Sequence, residues 1–175
     1  MSNSSHKSGS FKKLLGWFGS TGTGAWFMIN IASHIDKWLI KSSGGQLNMT
    51  FAWPCLLLTT KGARTGKPRT TPLVYARDGE SLVLIASKGG DPRHPAWYLN
   101  LRANPEVEVF LDGKTARYVA RDAEGEERER LWEKAVGVYS GYEKYRKRAG
   151  GRKIPVVVLE PSISVYSLNK LIILE

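Results

Sequence analysis

Residues 69–87, with the sequence RTTPLVYARDGESLVLIAS, decide the fold class. Two stretches rich in apolar and β-branched residues flank the dipeptide Asp78-Gly79. An Asp-Gly pair in this setting is a strong signal for a tight β-hairpin, because glycine readily adopts the positive φ angles that hairpin turns need. The pattern therefore predicts two antiparallel strands, over 69–77 and 81–87.

Outward from this hairpin, more short stretches are typical of strands. Asp112-Gly113 predicts a second hairpin between two of them. The stretch IPVVVLE is apolar at successive positions, as expected of a strand that is covered on both faces. These further predicted strands are 55–60, 107–111, 115–121 and 154–160.

Helices are predicted before and between the strands. Residues 25–41 place apolar side chains at three- and four-residue steps, and 124–148 do the same over a longer stretch. A short helix runs through Trp97 and Leu101 and ends at Asn104-Pro105. Strands this short would leave open edges unless the sheet curls. We therefore predict an α+β domain built on a small antiparallel barrel and flanked by helices.

The same patterns divide the chain into four parts. A serine- and glycine-rich head is expected to be flexible. In the amphipathic helix that follows, polar residues interrupt the apolar run well short of the ~20 residues that span a bilayer. That helix is therefore not predicted to cross a membrane. The predicted parts are the flexible head (1–23), the amphipathic N-terminal helix (24–45), the barrel domain (51–161) and a C-terminal tail (162–175).

The composition is that of one globular domain with an excess of basic residues. The chain has 175 residues, 42% of them hydrophobic, and a formal net charge of +10. Its single cysteine excludes an intrachain disulfide and any zinc site built on several thiolates. A basic excess suits nucleic acid, an anionic membrane surface or a polyanionic small molecule, and the position of the charges decides among them.

The unneutralised charge is concentrated in one stretch. Between Asp36 and Asp78 the sequence has no acidic residue, whereas seven lysines and arginines fall there. Four of these cations lie in or beside the turn 61–69, with threonines and two glycines. Glycine lets backbone N–H groups approach an anion, and arginine can bind phosphate or carboxylate with two donors. The turn is therefore a candidate anion site, although an isolated basic turn is more often only a solvated hairpin tip.

A second element favours the anion site. The strand 81–87 ends in Ser87-Lys88-Gly89-Gly90 and leads into the helix that carries Trp97 and Tyr98. A hydroxyl, a cation, free amides and two aromatic rings then lie at one strand end, which suits a flat, ring-containing anionic ligand. Nucleic acid becomes the least favoured partner.

Three tyrosines, Tyr139, Tyr142 and Tyr145, recur at three-residue steps in the predicted helix 124–148 and should share one broad face. Two interpretations stay open with about even weight: core packing with the hydroxyls at the rim, or a tyrosine-lined pocket for a hydrophobic substrate.

Common catalytic motifs are missing. The glycine-rich turn at 62–68 is too short for a P-loop, the three histidines are scattered, and Cys55 lies inside an apolar strand. No metal site is predicted.

Several stretches together resemble the deazaflavin-dependent nitroreductase family, whose members are actinobacterial quinone reductases. They are LLLTTKGARTGKPRTTPLVYARDG, ASKGG, WYLNLRANPEVEV, the three tyrosines and IPVVVLEP, in unbroken order over residues 51–161. The resemblance implies a split β-barrel related to the flavin-binding barrels. It also implies coenzyme F420, an 8-hydroxy-5-deazaflavin with a phosphodiester and a polyglutamate tail, as hydride donor.

The resemblance assigns roles to residues of this sequence. Ser87, Tyr139 and Tyr142 would be catalytic, and Val74, Ser87, Tyr139, Tyr142 and Tyr145 would bind the acceptor. A tyrosine at position 74 accompanies reduction of bulky nitroimidazoles in the family, so Val74 favours quinones or enones, and Ala63 lacks a basic contact to the tail. The implied cofactor-binding residues are Arg64, Thr65, Gly66, Lys67, Pro68, Arg69, Ser87, Lys88, Ala96, Trp97, Tyr98, Asn100 and Tyr142.

The favoured hypothesis is a reductase that transfers a hydride from reduced F420 to a quinone or another activated C=C, C=O or nitro acceptor. One alternative is a non-catalytic basic module on anionic membrane or nucleic acid, and another is an FMN-dependent oxidoreductase on the same barrel. We expect a cytoplasmic protein without a nucleic-acid partner. The N-terminal helix is expected to lie on the inner face of the cell membrane, on the barrel or in a homodimer interface.

Overall fold

The computed structural model describes residues 53–162, which form six strands and three helices. A short 3₁₀ turn, Lys88–Gly90, follows the third strand. The predicted head and N-terminal helix lie outside the described residues, as does the predicted tail beyond Ser162. The elements are β1 (Cys55–Lys61), β2 (Pro68–Asp78), β3 (Ser81–Ile85), α1 (Ala96–Ala103), β4 (Glu106–Leu111), β5 (Lys114–Asp122), α2 (Gly125–Val138), α3 (Gly141–Arg148) and β6 (Val156–Pro161).

The six strands close into an antiparallel barrel with the order β1-β2-β3-β6-β5-β4. Both predicted hairpins are present. Asp78 pairs with Ser81 across the first turn, where Gly79 has a φ of 61°. In the second turn Asp112 and Gly113 have φ angles of 51° and 76°, the pair of positive values that a type I′ turn requires. The predicted α+β fold built on a small antiparallel barrel is confirmed.

The apolar residues form two clusters, one on each side of the barrel wall. The first cluster contains alternate strand residues, such as Leu84 and Leu159, and the buried residues of α1. The second takes the intervening residues, such as Val83 and Val158, and packs them against α2 and α3. Strand β6 contributes to both clusters, which explains why its sequence is apolar at successive positions.

The single helix predicted over 124–148 is wrong, because the chain forms two helices with Tyr139 between them in an extended conformation. Val136, Gly137 and Val138 are weak helix formers at the end of α2. The chain then folds back on the Tyr139 ring so closely that any side chain at Gly141 would collide with it. A hydrophobic period alone does not reveal this break, because the buried tyrosines continue the pattern across it.

The remaining element boundaries differ from the predictions by one or two residues. Strand β3 ends at Ile85, two residues before the predicted end, because Ser87 takes helical φ and ψ angles and starts the 3₁₀ turn. Across residues 53–162 the helices are all too short or too polar to cross a bilayer.

Candidate functional site

The connection between β1 and β2 is a compact turn that exposes basic side chains. The N–H of Gly62 donates to the Lys67 carbonyl at 2.9 Å, and the N–H of Gly66 donates to the Gly62 carbonyl at 2.8 Å. Gly66 has a φ of 66°, which favours glycine. The six residues from Arg64 to Arg69 are all exposed, so the charged side chains among them face solvent.

One side chain of α1 fixes this turn to the barrel. The Asn100 Oδ1 atom accepts from the Ala63 N–H at 3.0 Å, and its Nδ2 atom donates to the Thr60 hydroxyl at 3.1 Å. Thr60 is only 1% exposed, so this second hydrogen bond also satisfies a buried hydroxyl. Asn100 thereby holds the turn and α1 at a constant separation.

A pocket of about 680 Å³ lies between the turn and α1. None of the residues that line it is acidic, whereas a second pocket of about 440 Å³, on the other side of the β1–β2 connection, contains Glu106 and Glu108. The first pocket is therefore the better place for an anion. Its lining is Gly62, Ala63, Arg64, Thr65, Pro68, Arg69, Thr70, Thr71, Ala96, Trp97, Leu99 and Asn100.

The cations of the turn have no acidic partner within residues 53–162: Lys61, Arg64, Lys67 and Arg69 form no ion pair there. The cations near the helices are different. Arg130 lies 2.8 Å from Asp78, and Arg121 lies 2.7 Å from Glu127. Of the four cations of the turn, Arg64 and Arg69 line the 680 Å³ pocket.

The segment from Ser87 to Asp91 forms a second turn, whose backbone is strained. Lys88, Gly89 and Gly90 have φ angles of 51°, 64° and 83°, all in the left-handed region that a lysine rarely adopts. The N–H groups of Gly90 and Asp91 donate to the carbonyls of Ser87 and Lys88, at 3.0 and 3.1 Å. Ser87 is only 7% exposed, so its hydroxyl lies close to the protein interior.

Helix α3 supports this turn by direct contact. A Cβ atom at Gly90 would lie 2.9 Å from both the Tyr145 carbonyl oxygen and the Arg148 Cβ, so only glycine fits there. The Arg148 guanidinium also donates to the Gly89 carbonyl at 3.1 Å. The turn that follows β3 is therefore pressed against α3, and its shape depends on residues about sixty positions further along the chain.

Arg152 is the residue of this region that the sequence patterns did not single out. It lies between α3 and β6, and its guanidinium donates to the carbonyls of Ala86, Ser87 and Asp91 at 2.8–3.2 Å. Its Nη1 atom also lies 3.2 Å from the His94 Nδ1 atom. An arginine in a Gly-Gly-Arg-Lys sequence gives no signal of such contacts, because every partner is distant in sequence.

The three tyrosines come together in the buried cluster under α2 and α3. The hydroxyls of Tyr139 and Tyr145 are 2.9 Å apart, and the ring centroids of Tyr139 and Tyr142 are separated by 5.1 Å. Trp53 packs edge-on against Tyr139 at 5.0 Å, and Val74 packs against the same cluster. All three tyrosines are buried among the described residues, and Tyr139 lies in the helix break rather than on the face of one continuous helix.

Burial makes these tyrosines weaker acids than an exposed tyrosine. Desolvation raises the pKa of all three tyrosines above the usual value. For Tyr142 and Tyr145, the neighbouring phenols raise the pKa further. All three hydroxyls are therefore protonated at neutral pH. They can donate hydrogen bonds or protons but cannot act as bases.

The predicted cofactor residues fall into three places. Gly66 and Lys67 complete the basic turn, and Ser87, Lys88 and Tyr142 belong to the second turn and the tyrosine cluster. Tyr98 is directed elsewhere: its hydroxyl donates to Asp122 at 2.8 Å and does not line the pocket. The residues at the pocket itself are Arg64, Thr65, Pro68, Arg69, Ala96, Trp97 and Asn100.

No group of three or more histidine, cysteine, aspartate or glutamate side chains within residues 53–162 is arranged to hold a metal ion. The candidate functional groups are a basic pocket, a turn with a strained backbone and a cluster of protonated tyrosines. These groups can bind a polyanion and donate hydrogen bonds.

Comparison with known proteins gives concordant matches. A family model described as F420H(2)-dependent quinone reductase matches residues 33–161. An F420H(2)-dependent quinone reductase of Mycobacterium tuberculosis is 47% identical over 109 residues, which are 61% of this chain and 72% of that protein. The solved structure of an F420-H2 dependent reductase has 44% identity and a TM-score of 0.57, over 61% of this chain and 94% of the other. A structure described as a domain-swapped dimer has 39% identity and a TM-score of 0.60, over 73% and 92%.

Proposed function

Because the chain belongs to the F420H(2)-dependent quinone reductase family, we propose that it transfers a hydride from reduced coenzyme F420 to a quinone. It is an oxidoreductase of the deazaflavin type, and the predicted family, cofactor and reaction are confirmed. The observation in this structure that carries the proposal is the 680 Å³ pocket, because Arg64 and Arg69 line it without an ion pair to any of residues 53–162, and no acidic residue lines it.

The residues present fit the coenzyme. A phosphodiester and a polyglutamate tail require several cations without competing carboxylates, which the turn at 62–69 provides. The aromatic side chain of Trp97 and the methyl group of Ala96 also line the pocket. We propose that Arg64 and Arg69 bind the phosphodiester and the tail, and that Asn100 keeps them in place by fixing the turn to α1.

When bound, the reduced deazaflavin supplies one hydride, and reduction of a quinone to a hydroquinone takes up one further proton. We propose that Ser87 donates a hydrogen bond to the acceptor oxygen, where negative charge develops during transfer. Tyr139 and Tyr142 exclude water from the acceptor side and present protonated hydroxyls there. The proton reaches the acceptor from such a hydroxyl or from solvent.

The acceptor is a quinone or a similarly flat molecule in this proposal. Val74 packs against the tyrosine cluster and leaves no hydroxyl or ring at that position for a bulky nitroimidazole. Menadione should therefore be turned over faster than a bulky nitroimidazole at equal concentration. Equal rates for the two acceptors would contradict this role of Val74.

A titration of oxidised F420 with the protein, followed by the fluorescence of the deazaflavin and run against FMN, tests the cofactor assignment. Saturable binding of F420 without binding of FMN is expected. The double variant Arg64→Ala/Arg69→Ala should raise the Kd for F420 about tenfold to 100-fold, because two charge-assisted contacts are lost. Arg77→Ala is the control, since Arg77 pairs with Asp112 at 3.1 Å on another part of the barrel. Tight binding of FMN, or an unchanged Kd in the double variant, would contradict the proposal.

We also propose a homodimer and a cytoplasmic location with contact to the membrane surface. The dimer is supported by the relative described as a domain-swapped dimer, and the membrane contact by the lysines and tryptophans of the predicted N-terminal helix. Sedimentation with anionic liposomes, before and after deletion of residues 1–45, tests the membrane contact. An equal bound fraction for the two proteins would exclude the membrane contact. Light scattering, which measures the molar mass in solution, tests the dimer.

A further inference from the structure

Arg152 occupies an unusual position for a partly buried cation. Among residues 53–162 it forms no ion pair, and backbone carbonyls surround its guanidinium instead. Nε and Nη2 donate to the Asp91 carbonyl at 3.1 and 2.9 Å, Nη2 also donates to the Ser87 carbonyl at 2.8 Å, and Nη1 donates to the Ala86 carbonyl at 3.2 Å. The guanidinium thus joins the two ends of the turn that contains Ser87 and Lys88.

The turn needs such support because its backbone is strained. Three consecutive residues have positive φ angles, which the two glycines adopt readily but Lys88 does not. A strained backbone persists only where the surrounding structure holds it, and it is often found at functional sites. Here Arg152 donates to the carbonyls of Ser87 and Asp91, on both sides of the residues with positive φ angles, and α3 packs against Gly90.

His94 adds a further contact to the same guanidinium. Arginine has only donors, so the His94 Nδ1 atom at 3.2 Å must accept, which fixes the neutral imidazole with its proton on Nε2. Desolvation and the Arg152 charge both lower the pKa of His94, so the neutral form is the one present at neutral pH. The guanidinium therefore has partners on several sides, which a smaller or more flexible cation could not match.

We propose that Arg152 is a positioning residue for the reductase reaction: its guanidinium fixes the 86–91 backbone so that Ser87 and Lys88 face the acceptor and the coenzyme. Only the catalytic part of this inference rests on the proposed function. That the guanidinium fixes the turn is a property of the protein without any ligand. Lysine at this position would keep the charge but lose the planar set of donors that reaches three carbonyls at once.

Two measurements test this proposal on the full-length protein. The first is hydrogen exchange of the ligand-free protein, wild type against Arg152→Lys. The Gly90 and Asp91 amides, which donate within the turn, should exchange about tenfold faster or more in the variant, while the amides of β3 and β6 stay unchanged. The second is steady-state reduction of menadione, where kcat should fall about tenfold to 100-fold while the Kd for F420 stays within about threefold.

Arg93→Lys is the matched control. Arg93 contacts the same Asp91, but through the carboxylate, and its side chain is 80% exposed. This variant should leave both the exchange rates and kcat unchanged. Addition of guanidinium chloride to Arg152→Ala should restore part of kcat, whereas the same concentration of sodium chloride should not, a difference that a general loss of stability would not produce.

The outcomes separate the two proposals. A wild-type protein without F420-dependent activity would overturn the proposed function, whereas the exchange experiment would still decide whether Arg152 fixes the turn. Wild-type kcat and wild-type exchange in Arg152→Lys would overturn the positioning role. If the Arg152 variants fail to fold, exchange of the wild type decides: Gly90 and Asp91 amides that exchange at unprotected rates would overturn it, and protected ones support it.

Discussion

The two turns to which the proposed function assigns roles, 62–67 and 86–91, are built in opposite ways. The first is exposed, carries unpaired cations and contacts the rest of the domain chiefly through Asn100. The second is largely buried, has three residues with positive φ angles, and is held by Arg152 and α3. One turn presents charge to solvent, and the other holds a backbone in a strained shape.

This difference matches the two tasks of a hydride-transfer site. A polyanionic tail is bound by charge, which acts over several ångströms and tolerates motion of the side chains. The reacting atoms must instead be aligned to within a fraction of an ångström, which needs groups fixed by packing and hydrogen bonds. The exposed turn suits the first task, and the fixed turn suits the second. The two turns should therefore respond very differently to similar substitutions.

The largest difference in the free energy of unfolding is expected between the variants Gly90→Ala and Gly66→Ala. Both glycines have positive φ angles, so both substitutions carry a backbone penalty of about 1 kcal/mol. At Gly90 the new Cβ would also lie 2.9 Å from the Tyr145 carbonyl oxygen and the Arg148 Cβ, whereas at Gly66 the nearest atom is Lys61 Cε at 3.9 Å. We expect Gly90→Ala to lower the free energy of unfolding by about 3 kcal/mol in urea titrations.

Gly79→Ala is the control for the backbone term, because Gly79 has a φ of 61° and no atom within 4 Å of the added Cβ. It should resemble Gly66→Ala, with a loss of about 1 kcal/mol. Three equal losses would mean that the contact between the 86–91 turn and α3 contributes nothing to stability. The 86–91 turn would then be no more tightly held than the exposed turn.

Asn100→Ala should have a smaller effect and should act on the exposed turn. It removes the acceptor of the Ala63 N–H and the donor to the buried Thr60 hydroxyl, which costs about 1–2 kcal/mol of stability. Because the turn is then free to move away from α1, the Kd for F420 should also rise, by about threefold to tenfold. Thermal unfolding and the F420 titration measure the two effects.

Asn104→Ala is the matched control, because this asparagine ends the same helix and its side chain forms no hydrogen bond with residues 53–162. It should change the Kd for F420 by less than about twofold. A loss of stability in Asn100→Ala without any change in Kd would show that the turn keeps its place without this side chain. The exposed turn would then be more rigid than its few contacts indicate.

Much of the fold was accessible from sequence because its signals are local. Asp78-Gly79 and Asp112-Gly113 determine two hairpins by the φ angles that their glycines allow, and the apolar stretch of β6 indicates a strand covered on both faces. The break at Tyr139 was missed for the opposite reason. It depends on the contact between the Tyr139 ring and the Gly141 backbone, which no periodicity of side chains encodes.

The same distinction between local and distant contacts decides which residues of the candidate site can be predicted from sequence. The basic turn was predicted because glycines, a proline and four cations lie within nine residues, and the pocket beside it involves the predicted Arg64 and Asn100. Arg152 was missed because its partners are distant in sequence and are backbone carbonyls, which any residue supplies. Sequence therefore reveals charge that faces solvent more readily than it reveals a guanidinium that supports a backbone.

The smallest expected effect is a pH dependence that belongs to the fixed turn alone. Desolvation and the Arg152 charge lower the pKa of His94, with Asp122 opposing them and Arg102 adding to them. The unfolded chain therefore binds a proton near pH 6.5 more readily than the folded one. The stabilising contribution is complete above about pH 6.5 and decreases as the pH falls below that value, by less than about 1 kcal/mol.

Urea unfolding of the wild type and of His94→Asn at pH 8 and pH 5.5 measures this contribution. The difference between the two proteins should be larger at pH 8 than at pH 5.5, and comparison with the variant removes the effect of the other two histidines, His6 and His34. The exposed turn contains neither a histidine nor a carboxylate side chain, so the Kd for F420 should keep the same pH profile in both proteins. A changed profile would mean that protonation of His94 reaches the basic pocket, and that the two turns are coupled rather than separate.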